Sequence, residues 1–347
     1  MKRPIIILAV LVTVVLIIPS LIVFPFEHHA DSADPKKKTH KPGGIDMSYK
    51  TAPTSPKMKE DPAVTVSVYR SSENKVESLP LHDYLVGVVS SEMPADFDIE
   101  ALKAQALTAR TYIVGHLLAK DSIHLPKGAE VTDTTMDQAF EDRSDLKRLW
   151  GPDYDRKIKK IDKAVSDTAG QILTYDGKPI TASFFSTSNG YTENAEDYWN
   201  RPYPYLKSVP SPWDKNSPKY KTKTTITVGA LESELNVAIP NQNGKVGQVL
   251  QITPGHRVGK IKIGNKIFTG RQVREKLKLN SSDFTMVRDG DSINVETKGY
   301  GHGVGMSQYG ANGMAKEGKS YKDIVAYYYR GVKISSMEPF MKEITSR

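Results

Sequence analysis

The chain of 347 residues contains no cysteine. That excludes disulfides and any thiolate-held metal. No dense stripe of lysine and arginine runs through it. From Pro62 onward 39 basic residues face 34 acidic ones, so a nucleic-acid-binding surface is not indicated. A mild attraction to an anionic cell wall is compatible with this balance. No glycine-rich stretch ends in Gly-Lys-Ser/Thr or has dinucleotide-binding spacing. No pair of histidines has metal-ligand spacing. Long apolar runs are absent except at one end.

That exception is Ile5–Phe24, uncharged and almost wholly apolar. At 1.5 Å per residue it matches a bilayer core of roughly 30 Å. A cleavable signal peptide has a shorter apolar run ending at a small-residue site, and no such site follows Phe26. An uncleaved anchor over residues 5–26 is the expectation. Lys2 and Arg3 place residues 1–4 in the cytoplasm and the rest outside, although Lys36–Lys38 weaken that signal. Residues 27–61 are rich in Lys, Pro, Ser and Thr and read as a flexible linker.

The folded part is expected over 62–335, with 336–347 as a tail. Ala63–Arg70 alternates like a half-buried strand. Pro80 starts a helix that carries Tyr84, Leu85, Val88 and Val89 and ends near Glu92, because Pro94 blocks its continuation. Asp98 caps the next helix. Its stripe of Leu102, Ala106, Ala109, Ile113 and Leu117 has helical spacing. Lys103 and Arg110 share a face beside that stripe, and spacing alone makes them two solvated cations. Asp176-Gly177 marks a hairpin turn between Gln171–Tyr175 and Pro179–Phe185. Residues 222–298 alternate short strands (Thr224–Val228, Val246–Thr253, Arg257–Ile263 and Ser292–Thr297) with one helix near Thr269–Lys278 and read as a bracing subdomain. Ser320 and Asp323 are placed as the capping box of a closing helix over Ser320–Tyr329. The fold class is α+β: a single elongated mixed domain with long loops around a glycan cleft, preceded by one transmembrane helix.

Two stretches fit no regular pattern. Ser186–Asp214 is dense in Tyr, Trp, Asn, Pro and Ser. Rings suit the C–H face of a sugar, and amides and hydroxyls suit its hydroxyl groups. A well-packed loop accounts for the same composition equally well. Gly299–Gly313 surrounds His302 and Gln308 with glycines, which let backbone approach a ligand or a neighbouring element closely.

Four pieces in order carry a resemblance: SSEMPADFDIEALKAQALTARTY, SFFSTSNGYTENAEDYW, PYLKSV and GYGHGVGMSQYGANGMA. With them the chain resembles the stage II sporulation protein D family, membrane-anchored lytic transglycosylases of endospore-forming bacteria. The resemblance spans about Val64 to Val332. It implies cleavage of peptidoglycan between N-acetylmuramic acid and N-acetylglucosamine during engulfment of the forespore, at the mother-cell membrane of the septum. It implies Glu92 as the catalytic acid/base, supported by Lys103, Arg110, Tyr205 and Lys207. Ser188 and Asn189 are sugar-binding candidates, and His302 and Gln308 are candidates for shaping the groove. The partners implied are a membrane-anchored amidase/endopeptidase and a further membrane protein, with glycan stripped of stem peptides as substrate. No cofactor is expected. Some relatives bind zinc through Cys and His in the segment matching Val131–Asp142, and here that segment has neither. Two other readings stay open: a non-catalytic glycan-binding enhancer of a cell-wall amidase, and a septal scaffold.

Overall fold

The computed structural model describes residues 61–119 and 125–345. The expected cytoplasmic tail, the expected anchor and the expected linker up to residue 60 lie outside the described residues. Among those described, no helix is long and apolar enough to cross a membrane. They form a mixed α+β fold of small open sheets, none of which closes on itself.

The chain enters as a hairpin of β1 (Thr65–Arg70) and β2 (Lys75–Pro80), paired from Thr65↔Pro80 to Arg70↔Lys75. Val66 and Val68 alternate inward and are fully buried, as period-two patterning requires. Helix α1 (Leu81–Glu92) follows without a loop. It stops where Met93 turns extended, just before Pro94. Helix α2 (Ile99–Ala119) begins after Asp98, whose Oδ1 accepts the Glu100 N–H at 2.9 Å. Strand β3 (Val131–Thr132) then pairs with β1 in parallel. Helices α3 (Arg143–Trp150) and α4 (Tyr154–Asp167) come next. Asp142 caps α3 through the N–H groups of Ser144 and Asp145. The buried Arg70 guanidinium binds both Asp142 and Asp145, so β1 and α3 are tied by charge.

Strands β4 (Gln171–Tyr175) and β5 (Lys178–Pro179) make the expected hairpin around Asp176-Gly177, both at positive φ. The second arm is shorter than its sequence suggested. Pro179 has no N–H to extend the ladder. The chain leaves it to form β6 (Phe184–Phe185), which pairs elsewhere. A short helix, α5 (Ala195–Trp199), interrupts the aromatic loop.

Residues 221–298 form an insertion with its own core. It runs β7 (Lys221–Thr227), α6 (Val228–Leu235), β8 (Gly244–Lys245), β9 (Gln248–Ile252), β10 (Val258–Ile263), β11 (Lys266–Thr269), α7 (Gly270–Lys276), β12 (Asp283–Asp289) and β13 (Ser292–Lys298). Its sheets have the orders β7-β13-β12-β8 and β11-β10-β9. Leu231, Ile261, Ile263, Val273, Phe284 and Ile293 fill the space between them. Strands β7 and β13 pair in register from Lys221↔Lys298 to Thr227↔Ser292, so the insertion leaves and rejoins the main body at one point. Gly299 N–H donates to Tyr220 C=O at 2.7 Å and closes that neck.

Beyond the neck, β14 (Met306–Ser307) pairs in parallel with β6, and α8 (Gln308–Lys316) follows. The glycine-rich stretch therefore becomes a helix at Gln308. Ser307 caps it by accepting the Gly310 N–H. Helix α9 (Tyr321–Tyr328) carries the capping box expected from Ser320 and Asp323. Strand β15 (Lys333–Ser336) pairs with β4. The residues expected as a tail form α10 (Glu338–Thr345), anchored by the buried Met337 and Met341.

The main core centres on α2, which packs against α1, α4, α8, α9, α10 and β4. Thirteen of its 21 residues are buried, so it is covered all round rather than along one stripe. Ala101, Ala104, Ala106 and Ala109 are small enough to let these neighbours approach. Each fully buried leucine, such as Leu102 or Leu107, contributes about 1.5–3 kcal/mol.

Candidate active site

Glu92 is the last residue of α1 and lines a cavity of about 310 Å³. The helix end presents it, and two contacts fix it there. The Ala139 N–H donates to its Oε1 at 2.8 Å. The Gln308 carboxamide donates to its backbone carbonyl at 2.8 Å, satisfying a C=O that the ending helix leaves unpaired. Ala139 reaches Glu92 because the segment after β3 crosses α1 there. Phe140 stacks on Tyr84 at that crossing, and a Cβ on Gly87 would lie 2.3 Å from the Phe140 ring.

Burial raises the Glu92 pKa above the usual carboxylate range, and the Ala139 N–H opposes this in part. Among the described residues no cation lies within ion-pair distance of Glu92, and Oε2 has no hydrogen-bond partner. Among the described residues Glu92 is the only acid lining the cavity. Phe184, Phe185, Tyr300 and Tyr309 supply aromatic wall, and Lys219 and Arg274 supply positive charge.

His302 lies in the same wall, packed near Phe185, Tyr198 and Trp199 with ring centroids 5.3–5.9 Å away. Its Nδ1 accepts the Val304 N–H at 3.0 Å. Burial and the charges of Arg274 and Arg257 push its pKa down to about 3, so the ring is neutral at physiological pH. A neutral imidazole held by backbone shapes the wall. Gly301 beside it has φ +115, and a Cβ there would meet the Phe185 Cβ at 2.8 Å. Only glycine passes at that distance.

Of the residues singled out from the sequence, the structure brings Glu92, His302 and Gln308 to one cavity. Arg110 is not on a solvated or substrate-facing surface. It is fully buried, with Nε 2.8 Å from Asp61 Oδ1 and Nη2 donating to Asp61 Oδ2 at 3.0 Å. Its remaining donors reach the carbonyls of Val165 and Thr168. Lys103 bridges Glu100 at 2.8 Å and Asp167 at 2.9 Å, tying α2 to α4. Ser188 is fully buried and donates to the Ser211 carbonyl, while its N–H goes to Asp214. Asn189 donates to Asp283 and to the Gly255 carbonyl, so it braces the aromatic loop against the insertion. Tyr205 is nearly buried between Tyr175 and Tyr203, its hydroxyl accepting the Thr181 N–H. Lys207 pairs with Glu196. None of these six lines the Glu92 cavity.

Lys219 and Arg274 were not among the sequence candidates. They flank or belong to the insertion, which the sequence presented only as structural. Nothing in their local pattern marks them, because the insertion's fold carries them to the cavity. Among the described residues, no group of three or more His, Asp or Glu is placed to hold a metal ion.

The family model for stage II sporulation protein (SpoIID) matches residues 69–175. Stage II sporulation protein D of Bacillus subtilis (strain 168) is 48% identical over 347 residues, the full length of both chains. The chain belongs to the stage II sporulation protein D family. The protein of the same name from Bacillus amyloliquefaciens is 49% identical, again over the full length of both. An amidase enhancer of Bacillus subtilis (strain 168) is 30% identical over 305 residues, covering 73% of this chain and 40% of that protein. The span of the family model includes Glu92 and Ala139. The opposite wall, with Arg274, His302 and Gln308, falls outside it, within the part matched by the full-length relatives.

Proposed function

We propose that this sporulation protein is a peptidoglycan lytic transglycosylase with Glu92 as its single acid/base. The observation that carries the reading is one half-buried carboxylate, alone of its kind in an aromatic-walled cavity, with its pKa raised by burial. Ordinary glycosidases need two carboxylates, about 5 Å apart for retention and farther for inversion. A transglycosylase needs one, because the C6 hydroxyl of N-acetylmuramic acid replaces water. Protonated Glu92 donates its proton to the glycosidic oxygen, and the C1–O bond to the leaving N-acetylglucosamine breaks. The resulting carboxylate takes the proton of the C6 hydroxyl, whose oxygen closes on C1. The product is a 1,6-anhydro-muramoyl end, with no net uptake of water. The raised pKa keeps more of Glu92 in the proton-donating form near neutral pH. The aromatic wall supports a sugar face, and Gln308 holds the helix end that aims Glu92.

In this reading residues 5–26 anchor the protein in the mother-cell membrane and residues 27–61 give it reach. It acts at the sporulation septum during engulfment, beside a membrane-anchored amidase/endopeptidase that supplies peptide-free strands and a further membrane protein. The deciding experiment uses such strands and identifies the released ends by mass spectrometry. Anhydro-muramoyl ends from the wild type and none from a folded Glu92→Ala are expected. Undiminished release by Glu92→Ala would remove Glu92 from the chemistry. The kinship with an amidase enhancer favours one second reading, a non-catalytic glycan-binding enhancer. It predicts strand binding without cleavage by either protein.

A further inference from the structure

Two cations in the Glu92 cavity form no ion pair among the described residues. Arg274 projects from α7 with one hydrogen bond, from Nη1 to the Tyr198 hydroxyl at 2.7 Å. Its Nε is buried and has no hydrogen-bond partner. It forms no ion pair among the described residues. Arg70, Arg110 and Arg257 also leave a buried Nε without a hydrogen-bond partner, but each of them forms an ion pair. Arg288, which forms no ion pair among the described residues, places all three nitrogens on oxygens of Gly290, Pro240 and Asn241. Lys219 directly precedes the insertion's neck, with Nζ 4.7 Å from the centre of the Tyr300 ring. It also forms no ion pair among the described residues.

A guanidinium stays charged at every physiological pH and presents a planar fork of donors that fits a carboxylate. A lysine ammonium adds a mobile point charge. The wall between them is apolar, which strengthens attraction to an anion that displaces water from the cavity. Glu92 does not fill this role, since it makes no ion pair with either cation and its pKa lies above the ordinary value, not below it.

We propose that Arg274 and Lys219 bind a carboxylate of the substrate, the free lactyl carboxylate of N-acetylmuramic acid. This rests on the glycan-strand reading above. When a stem peptide is attached, that carboxyl is an amide and the anion is gone. Polymers of N-acetylglucosamine lack it altogether. The insertion thus contributes a specificity element, selecting muramic residues that carry no peptide.

The test titrates the full-length chain, in a Glu92→Gln background so that strands stay intact, with two preparations of peptide-free glycan strands. One keeps its lactyl carboxylates, and in the other they are converted to methylamides. Isothermal calorimetry is expected to give about tenfold tighter binding of the carboxylate form. Lys219→Gln and Arg274→Gln are each expected to shrink that preference at least about threefold and leave methylamide binding unchanged. Lys219 is exposed, so its variant keeps the test valid if Arg274→Gln does not fold. Equal affinity for the two preparations would overturn the inference and leave the glycan reading standing. A preference unchanged in both variants would do the same. Binding of neither preparation would overturn both.

Discussion

Replacing Arg110 with methionine is expected to destabilise the protein by about 3–5 kcal/mol. Methionine keeps much of the length and apolar stem but removes the charge. Arg110 is fully buried, and the side chain of its partner Asp61 is 2% exposed. Without the guanidinium, the Asp61 carboxylate would keep one hydrogen bond, from the Gly170 N–H at 2.9 Å. An ionised carboxylate left in that setting loses both its counter-charge and the Arg110 Nη2 hydrogen bond to its Oδ2. The carbonyls lose less. Thr168 C=O still accepts from Gln171 N–H, and Val165 C=O still accepts from Thr168. Most of the cost therefore falls on Asp61, and a double variant that also replaces Asp61 with leucine is expected to recover most of it. Urea unfolding followed by tryptophan fluorescence measures each variant. If Arg110→Met unfolds within about 0.5 kcal/mol of the wild type yet binds glycan strands poorly, the structural assignment of Arg110 is wrong and its guanidinium meets the substrate.

Two further predictions concern the cavity. The folded-state pKa of Glu92 lies above its unfolded value, so the stability that its protonated form contributes is complete below the unfolded pKa and lost as pH rises through the folded one. Glu92→Gln is neutral throughout; its melting temperature should match the wild type near pH 4 and exceed it at about pH 8. An equal difference at both pH values would contradict burial as the cause. Gly305 has φ +82, and a Cβ there would sit 2.0 Å from the Ser183 carbonyl oxygen. Gly305→Ala is expected to cost about 2 kcal/mol or more and to slow the glycan cleavage proposed above, because it wedges β14 away from the strand that carries Phe184 and Phe185. An unchanged thermal midpoint would show that the backbone relaxes without loss.

Signals that live within a few residues were legible in the chain. The alternation of β1, the Pro80 and Pro94 bounds of α1, the Asp-Gly turn and the Ser320 capping box all appear where local pattern put them. Signals that depend on partners were not. Strands β11 and β12 escaped notice, and so did α8, whose glycines mask a helix capped by Ser307. Gly313 in α8 is there for packing, since a Cβ would lie 2.2 Å from Trp213. The spacing of Lys103 and Arg110 suggested a shared outer face. That inference assumes a helix with an outside, and α2 has none over most of its length.

The sequence by itself determined the family, the mixed class of the fold and the unusual setting of Glu92 between Ser91 and Met93-Pro94. These follow from short-range pattern and from residue identity, which need no partner to be read. Tertiary structure alone decided which side chains share a cavity with Glu92. It buried Arg110 against Asp61, turned Ser188 and Asn189 into braces, and carried Lys219 and Arg274 to the wall. A site assembled from residues 92 to 309 depends on where distant segments pack, and that is fixed by burial and pairing energies summed over the whole core, not by any stretch a reader can inspect alone.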